Sequence, residues 1–137
     1  MKNIYDTLKE NGNFTTLVTA IETAGMKDTF VRGGDFTLFA PSDDAFAGAP
    51  KDKVDEHLKD QKSATELVKG HTMNGRSLAN GLKNNINLQN GDWIKVDRSE
   101  GLRIGEALAV QPDIECDNGV VHVIDQVLIP QSEMITA

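Results

Sequence analysis

Apolar residues in the first third of the chain recur every three or four positions. Ile4 and Leu8, then Phe14, Leu17, Val18 and Ile21, form the stripe of amphipathic helices. Asn13 precedes the second run as its predicted N-cap, and Gly25 closes it as a C-terminal glycine. Met26 to Val31 adds a short helical turn. Gly33-Gly34 then breaks into the apolar run Thr37-Leu38-Phe39-Ala40, a buried strand that Pro41 stops. Ser42 caps a new helix, with Asp43 and Asp44 in its first turn, where the helix dipole favours negative charge. Another helical stretch starts at Pro50, with Val54, Leu58, Leu67 and Val68 as its apolar positions. Ser63 caps its second part, with Glu66 in capping-box position, and Gly70 ends it.

From His71 onward the period changes. Short apolar pairs alternate with Asn, Gly and Asp. Ile86 to Leu88 and Trp93 to Val96 flank Asn90-Gly91, a strong hairpin signal. Leu102 to Ile104 and Ala107 to Val110 follow as further short strands. Asn118-Gly119 reads as a tight turn into a last strand, Val120 to Ile129, closed by Pro130. Helices first and strands later, with one early strand, predict an α+β domain. No internal repeat or linker interrupts it, and the tail after residue 131 (132–137) reads as frayed.

Composition narrows the function classes. A chain of 137 residues is one domain by length and buries enough surface to fold without a disulfide or a metal. Its net charge of −7 repels a phosphate backbone and an anionic membrane surface, so nucleic acid is not expected as a partner. The same acidity serves solubility. The single cysteine, Cys116, excludes an internal disulfide and a cysteine-only zinc site, and its setting reads as a packed thiol. No stretch has the length of a membrane span. The first fourteen residues lack an apolar signal core, so either the chain is intracellular or a leader was removed beforehand.

Two segments carry a resemblance. TLFAPSDDAF at 37–46 and NGVVHVIDQVLIP at 118–130 resemble, in order and spacing, the two signature segments of fasciclin domains. The matching positions are Thr37, Phe39, Ala40, Pro41, Ser42, Asp43 and Phe46, and then Asn118, Gly119, His122, Asp125, Leu128 and Pro130. The resemblance covers Asn3 to Pro130. It implies a wedge of two β-sheets with several helices packed against it, mostly from the N-terminal half, within one domain over 1–131. Fasciclin domains usually carry a Tyr-His pair near the middle, implicated in integrin binding in animal members; here His71 matches the histidine and Gly70 replaces the tyrosine. Gln111, Pro112, Asp113 and Ile114 resemble part of another integrin-linked motif. With the family come adhesion, no cofactor and no enzymatic activity.

Each candidate residue has a structural and a functional reading. His122 shares a strand face with Val120 and Ile124, as a hydrogen-bonded core histidine would, with Thr37 or Ser42 as its expected partner. The functional alternative is a pH-sensitive core. Asp125 faces the other way, to bond backbone amides in a turn. Asp43 and Asp44 invite an acid/base or metal reading, but capping accounts for both, and no calcium-loop pattern is present. His71, Thr72 and Met73 begin the strand half, either as core and turn packing or as an adhesive edge. Pro112 marks a strand edge, where Gln111, Asp113 and Ile114 could engage a partner or simply block aggregation. Trp93, just after the hairpin turn, packs beneath it or anchors a protein or sugar. Asn13-Phe14-Thr15 is a formal glycosylation sequon.

The leading expectation is a non-enzymatic adhesion or recognition module, secreted or displayed at the cell surface. It would bind a protein or a glycan through His71 to Met73 and Gln111 to Ile114. The alternatives are an architectural domain that associates with itself, and a small hydrolase. Ser42, a histidine and Asp113 or Asp125 supply the residue types of a triad, yet no Gly-x-Ser-x-Gly elbow accompanies them.

Overall fold

A computed structural model describes residues 2–99 and 101–128. Six helices come first, interrupted by one strand. They are α1 (Ile4–Asn11), α2 (Thr15–Thr23), α3 (Lys27–Arg32), α4 (Asp43–Ala47), α5 (Lys51–Leu58) and α6 (Gln61–Lys69). The early strand, β1 (Phe36–Pro41), lies between α3 and α4. The remaining strands are β2 (Thr72–Asn74), β3 (Asn85–Asn87), β4 (Trp93–Asp97), β5 (Arg103–Ile104), β6 (Ala107–Cys116) and β7 (Gly119–Ile124). This is the expected α+β arrangement.

The strands run in the order β2-β1-β7-β6-β5-β4-β3. Among the seven described strands β1 and β7 pair in parallel, with Phe39 opposite His122, and the other strand pairs are antiparallel. Strand β6 joins the two halves of the wedge. Its first two residues pair with β5, and Ala109 to Cys116 pair with β7 through two register shifts. The halves meet again at the far ends, where the Gln89 N–H, in the β3–β4 connection, donates to the Thr72 carbonyl at 2.9 Å.

Strand alternation divides the core in two. Leu38, Ala40, Val121 and Val123 face the helices and pack with Ile4, Leu8, Leu17, Ile21, Phe30, Leu67 and Val68. Phe39 and Ile124 face the other way and pack with Ile86, Leu88, Val96, Ile104 and Ala107. The wedge therefore has a helix-covered core and a second core enclosed by its own strands.

Several local expectations change. Asn13 does not cap α2: the Asp43 carboxylate does, accepting from Thr15 N at 3.2 Å, Thr16 N at 3.0 Å and Thr15 Oγ1 at 2.7 Å. The Asp43 N–H in turn donates to the Asn13 carbonyl, so the starts of α2 and α4 hold each other. Burial, the largest single influence, pushes the Asp43 carboxyl up, but the hydrogen bonds from Thr15 and Thr16 outweigh it and hold the carboxyl below its ordinary value. Ser63 is not the cap of α6 either; Asp60 accepts from the Ser63 N–H at 2.8 Å. Ser42 caps α4 as expected. Strand β1 does stop at Pro41, which is still paired opposite Ile124 as its last residue.

Strand β7 ends at Ile124, not Ile129, because Asp125 turns back to accept from Leu108 N at 2.8 Å. Asn118-Gly119 is not the hairpin turn. The connection is Asp117-Asn118, and Gly119 is already paired with Cys116. Gly119 is needed for space: a Cβ there would lie 2.1 Å from the Phe36 carbonyl oxygen and 2.7 Å from Ile4 Cδ1. Pro130 and the 132–137 tail lie outside the described residues.

Candidate functional site

The first expected adhesive segment is interior. His71 and Thr72 are fully buried, and Met73 packs against the second core. The reason is the closure of the wedge. The outer edge of β2 receives the Gln89 N–H, and the Gln89 side chain donates to Asn74 Oδ1 at 2.7 Å. Gly70, in the position of the family's tyrosine, lies against this same connection, with a Cβ placed 3.0 Å from Asn90 Nδ2. His71 works as a strut. Its Nε2 accepts from Leu128 N at 2.8 Å, which leaves Nδ1 protonated and donating to the Leu67 carbonyl at 2.7 Å. Desolvation pushes its pKa down to about 4, aided by His57 and opposed by the Leu67 carbonyl. His71 thus ties the end of α6 to the segment leaving β7.

The second expected segment is exposed. Gln111, Pro112 and Asp113 occupy the β6 irregularity, and Ile114 is half-buried beside them. Asp113 has φ 63°, the left-handed conformation that few non-glycine residues adopt. Two contacts hold it there. Its N–H donates to His122 Nδ1 at 3.1 Å, and its carboxylate accepts from Ala79 N at 2.7 Å. His122 is buried, stacked on Phe39 at 5.7 Å between centroids, with Nε2 donating to the Ser77 carbonyl at 3.0 Å. Its partners are therefore Asp113 and Ser77, not Thr37 or Ser42. Thr37 instead binds the neighbouring backbone, donating to Gly75 O at 2.7 Å and accepting from Ser77 N at 2.9 Å. Burial lowers the His122 pKa, opposed by the Ser77 carbonyl and the Asp113 charge, so the imidazole is neutral.

A strap that sequence reasoning missed completes the arrangement. Residues 75–82 cross from β2 toward β3, pinned by Ser77 and Ala79. Arg76 adds two donations, to Cys116 O at 3.0 Å and Asp117 O at 2.8 Å. Arg98 donates to the carbonyls of Ala79 and Leu82. Every partner is far away in sequence, so no local pattern announces the strap. Leu78 projects from it, 38% exposed, and Val110 on β6 is 55% exposed. Trp93, on the solvent face of β4, is 65% exposed, so it does not pack beneath its hairpin.

Three further buried side chains brace the frame. Asn118 is a buried hub: its Oδ1 accepts from Ile4 N at 2.9 Å, and its Nδ2 donates to Phe30 O at 2.7 Å and Gly33 O at 2.9 Å. Cys116 is buried against Thr7, and burial raises its pKa, as in a packed thiol. Tyr5, also buried, donates its hydroxyl to the Glu22 carboxylate, which pushes the phenol pKa up to about 12. Among the described residues, no group of three or more His, Cys, Asp and Glu side chains is placed to hold a metal ion. Among the same residues, no helix is long and apolar enough to cross a membrane.

Fold and site together define an α+β module whose two signature segments are bonded into one frame, with a clamped bulge on its surface. The chain belongs to the fasciclin family: a family model for the Fasciclin domain matches residues 12–130. It is 33% identical over 131 residues to the uncharacterized protein sll1735 of Synechocystis, covering 94% of this chain and 98% of that protein. It is 32% identical to transforming growth factor-beta-induced protein ig-h3 of Sus scrofa and 28% identical to human periostin, over 95% and 94% of this chain. It spans only 20% and 16% of those two proteins. Its fold matches a FAS1 domain pair from the insect cell adhesion molecule fasciclin I with a TM-score of 0.77 at 16% identity, over 96% of this chain and 52% of the pair.

Proposed function

We propose that this chain is an exported, non-enzymatic recognition module that acts in adhesion, binding a surface protein or glycan through the β6 bulge. The observation that carries the proposal is Asp113. Its left-handed backbone is held from inside by His122 and from the strap by Ala79. A bulge fixed at both sides re-aims its neighbours, and such features gather at functional surfaces. Here it presents Val110, Gln111 and Pro112 to solvent on a rigid base, with Leu78 on the adjoining strap. The cell adhesion molecule that supplied the solved domain pair supports the general role. The residue types of a triad do not complete one: the Asp113 carboxylate lies 3.9 Å from His122 Nδ1, but Ser42 bonds the backbone of α4, and both histidines, His71 and His122, bond backbone groups rather than a serine.

The test is binding of the purified chain to cells and to a glycan array, alongside a Val110→Asp/Leu78→Asp variant matched for melting temperature. Saturable binding that the variant loses supports the reading. Binding that the variant retains but Trp93→Ala loses moves the contact surface to β4, a second reading favoured by the exposure of Trp93. Absence of binding, with concentration-dependent sedimentation, replaces recognition by self-assembly.

A further inference from the structure

The chain contains five Asn-Gly pairs, at Asn11, Asn74, Asn80, Asn90 and Asn118. Asn-Gly is the dipeptide most prone to spontaneous conversion, because glycine offers no side chain to obstruct attack by its own nitrogen. In that reaction the deprotonated glycine nitrogen attacks Cγ of the asparagine. A new N–C bond closes a five-membered imide, the bond to the amide nitrogen breaks, and ammonia leaves. Water then opens the ring at either carbonyl, giving isoaspartate or aspartate. The step needs a free glycine N–H and a carboxamide able to turn toward it.

The fold withholds these conditions from four of the five pairs. Asn118 is buried with its carboxamide held by three backbone groups. Asn90 forms a ring with Asp92 through both side-chain atoms, and the Gly91 N–H donates to Leu88 O at 2.9 Å. Asn74 accepts from Gln89, and the Gly75 N–H donates to Asp35 O at 2.8 Å. The Gly81 N–H donates to Leu78 O at 2.9 Å within the single 3-10 turn Ala79–Gly81. Asn11 differs. It is exposed at the last position of α1, where helices fray, and the Gly12 N–H has no acceptor among the described residues. Gly12 has φ 85° and nothing within 4 Å of its Cβ position. Among the described residues the carboxamide has one contact, a long acceptance from Asn13 N at 3.3 Å, so it is the least restrained of those with a bonded side chain.

We infer that Asn11 is the spontaneous isoaspartate site of the native protein, and hence its acceptor for an S-adenosylmethionine-dependent isoaspartyl carboxyl methyltransferase. The other four pairs are held in reserve by tertiary structure. Conversion adds a carboxylate at the C-terminal end of α1, where the helix dipole opposes it.

The native chain and the chain in denaturant are aged in mildly alkaline buffer, digested and mapped by mass, and the product is assayed as methyl acceptor. The expected result is that the Asn11 peptide carries more converted product than the other four together in the native chain. In denaturant all five should convert at comparable rates. Asn11→Gln should remove most native methyl acceptance without moving the melting temperature. Conversion of Asn74, Asn80, Asn90 or Asn118 as fast as Asn11 in the native chain overturns the inference. So does an Asn11 that resists conversion natively while converting in denaturant.

Discussion

Acidification should weaken this fold through His71 well before its carboxylates are protonated. The buried imidazole has a pKa near 4, against 6.5 for an ordinary histidine. Between those values the unfolded chain binds a proton that the native chain refuses, so unfolding takes up protons. The contribution of neutral His71 is therefore complete above pH 6.5 and is lost as pH falls toward 4. The full loss is about 3 kcal/mol, of which about 2 kcal/mol falls between pH 7 and pH 4.5. That is a large share of the stability of roughly 5–15 kcal/mol usual for a single domain. His122, lowered in the same direction, adds to the effect. Urea denaturation of the wild-type chain and of His71→Gln at pH 7 and pH 4.5 measures it. The wild-type midpoint should fall steeply between the two pH values. The variant should start lower and fall by less. Hydrogen exchange supplies a local reading, because protonated Nε2 can no longer accept from the Leu128 N–H. A wild-type stability that stays flat from pH 7 to pH 4.5, or a variant with the same slope as wild type, would refute the reasoning.

Three further outcomes test the frame. Asp43→Ala should cost about 1–2 kcal/mol in chemical denaturation while Asn13→Ala costs little, because the carboxylate and not the asparagine caps α2. Asn118→Ala should cost about 2–4 kcal/mol, since the Ile4 N–H and the Phe30 and Gly33 carbonyls all lose a partner. Asn118→Asp should be worse by urea midpoint, because a carboxylate oxygen would face those two carbonyls. Gly119→Ala should lose about 3 kcal/mol or fail to fold in a thermal melt, since its methyl group would collide with the backbone of β1 rather than with a movable side chain.

The candidate site was legible in part. The segment from Gln111 to Ile114 could be read as exposed because Pro112 cannot donate to a ladder, and the structure places it at the β6 irregularity. The segment from His71 to Met73 admitted two readings, core packing or an adhesive edge, and the burial of His71 and Thr72 bears out the first. A strand that begins the β half looks like an edge in sequence. The connection that covers it arrives from residue 89, after an intervening hairpin strand. Trp93 was open in the same way, since a tryptophan beside a tight turn fits both burial and exposure until the faces of β4 are known, and here it is exposed.

Information within one turn or one strand was settled by the sequence itself. Ser42 caps α4, Gly25 follows α2, Asn90-Gly91 joins β3 to β4, and the two signature segments mark the fasciclin domain, because each depends on residues a few positions apart. What only the tertiary structure decided is which distant group answers each polar side chain. Asp43 reaches back 28 residues to α2, His122 back 45 to Ser77 and Asn118 back 114 to Ile4, while His71 reaches forward 57 to Leu128. Those distances close only when β7 lies parallel to β1 and β6 carries the chain between two cores. A buried polar group must be satisfied, and the strand order, not the neighbouring sequence, determines by what.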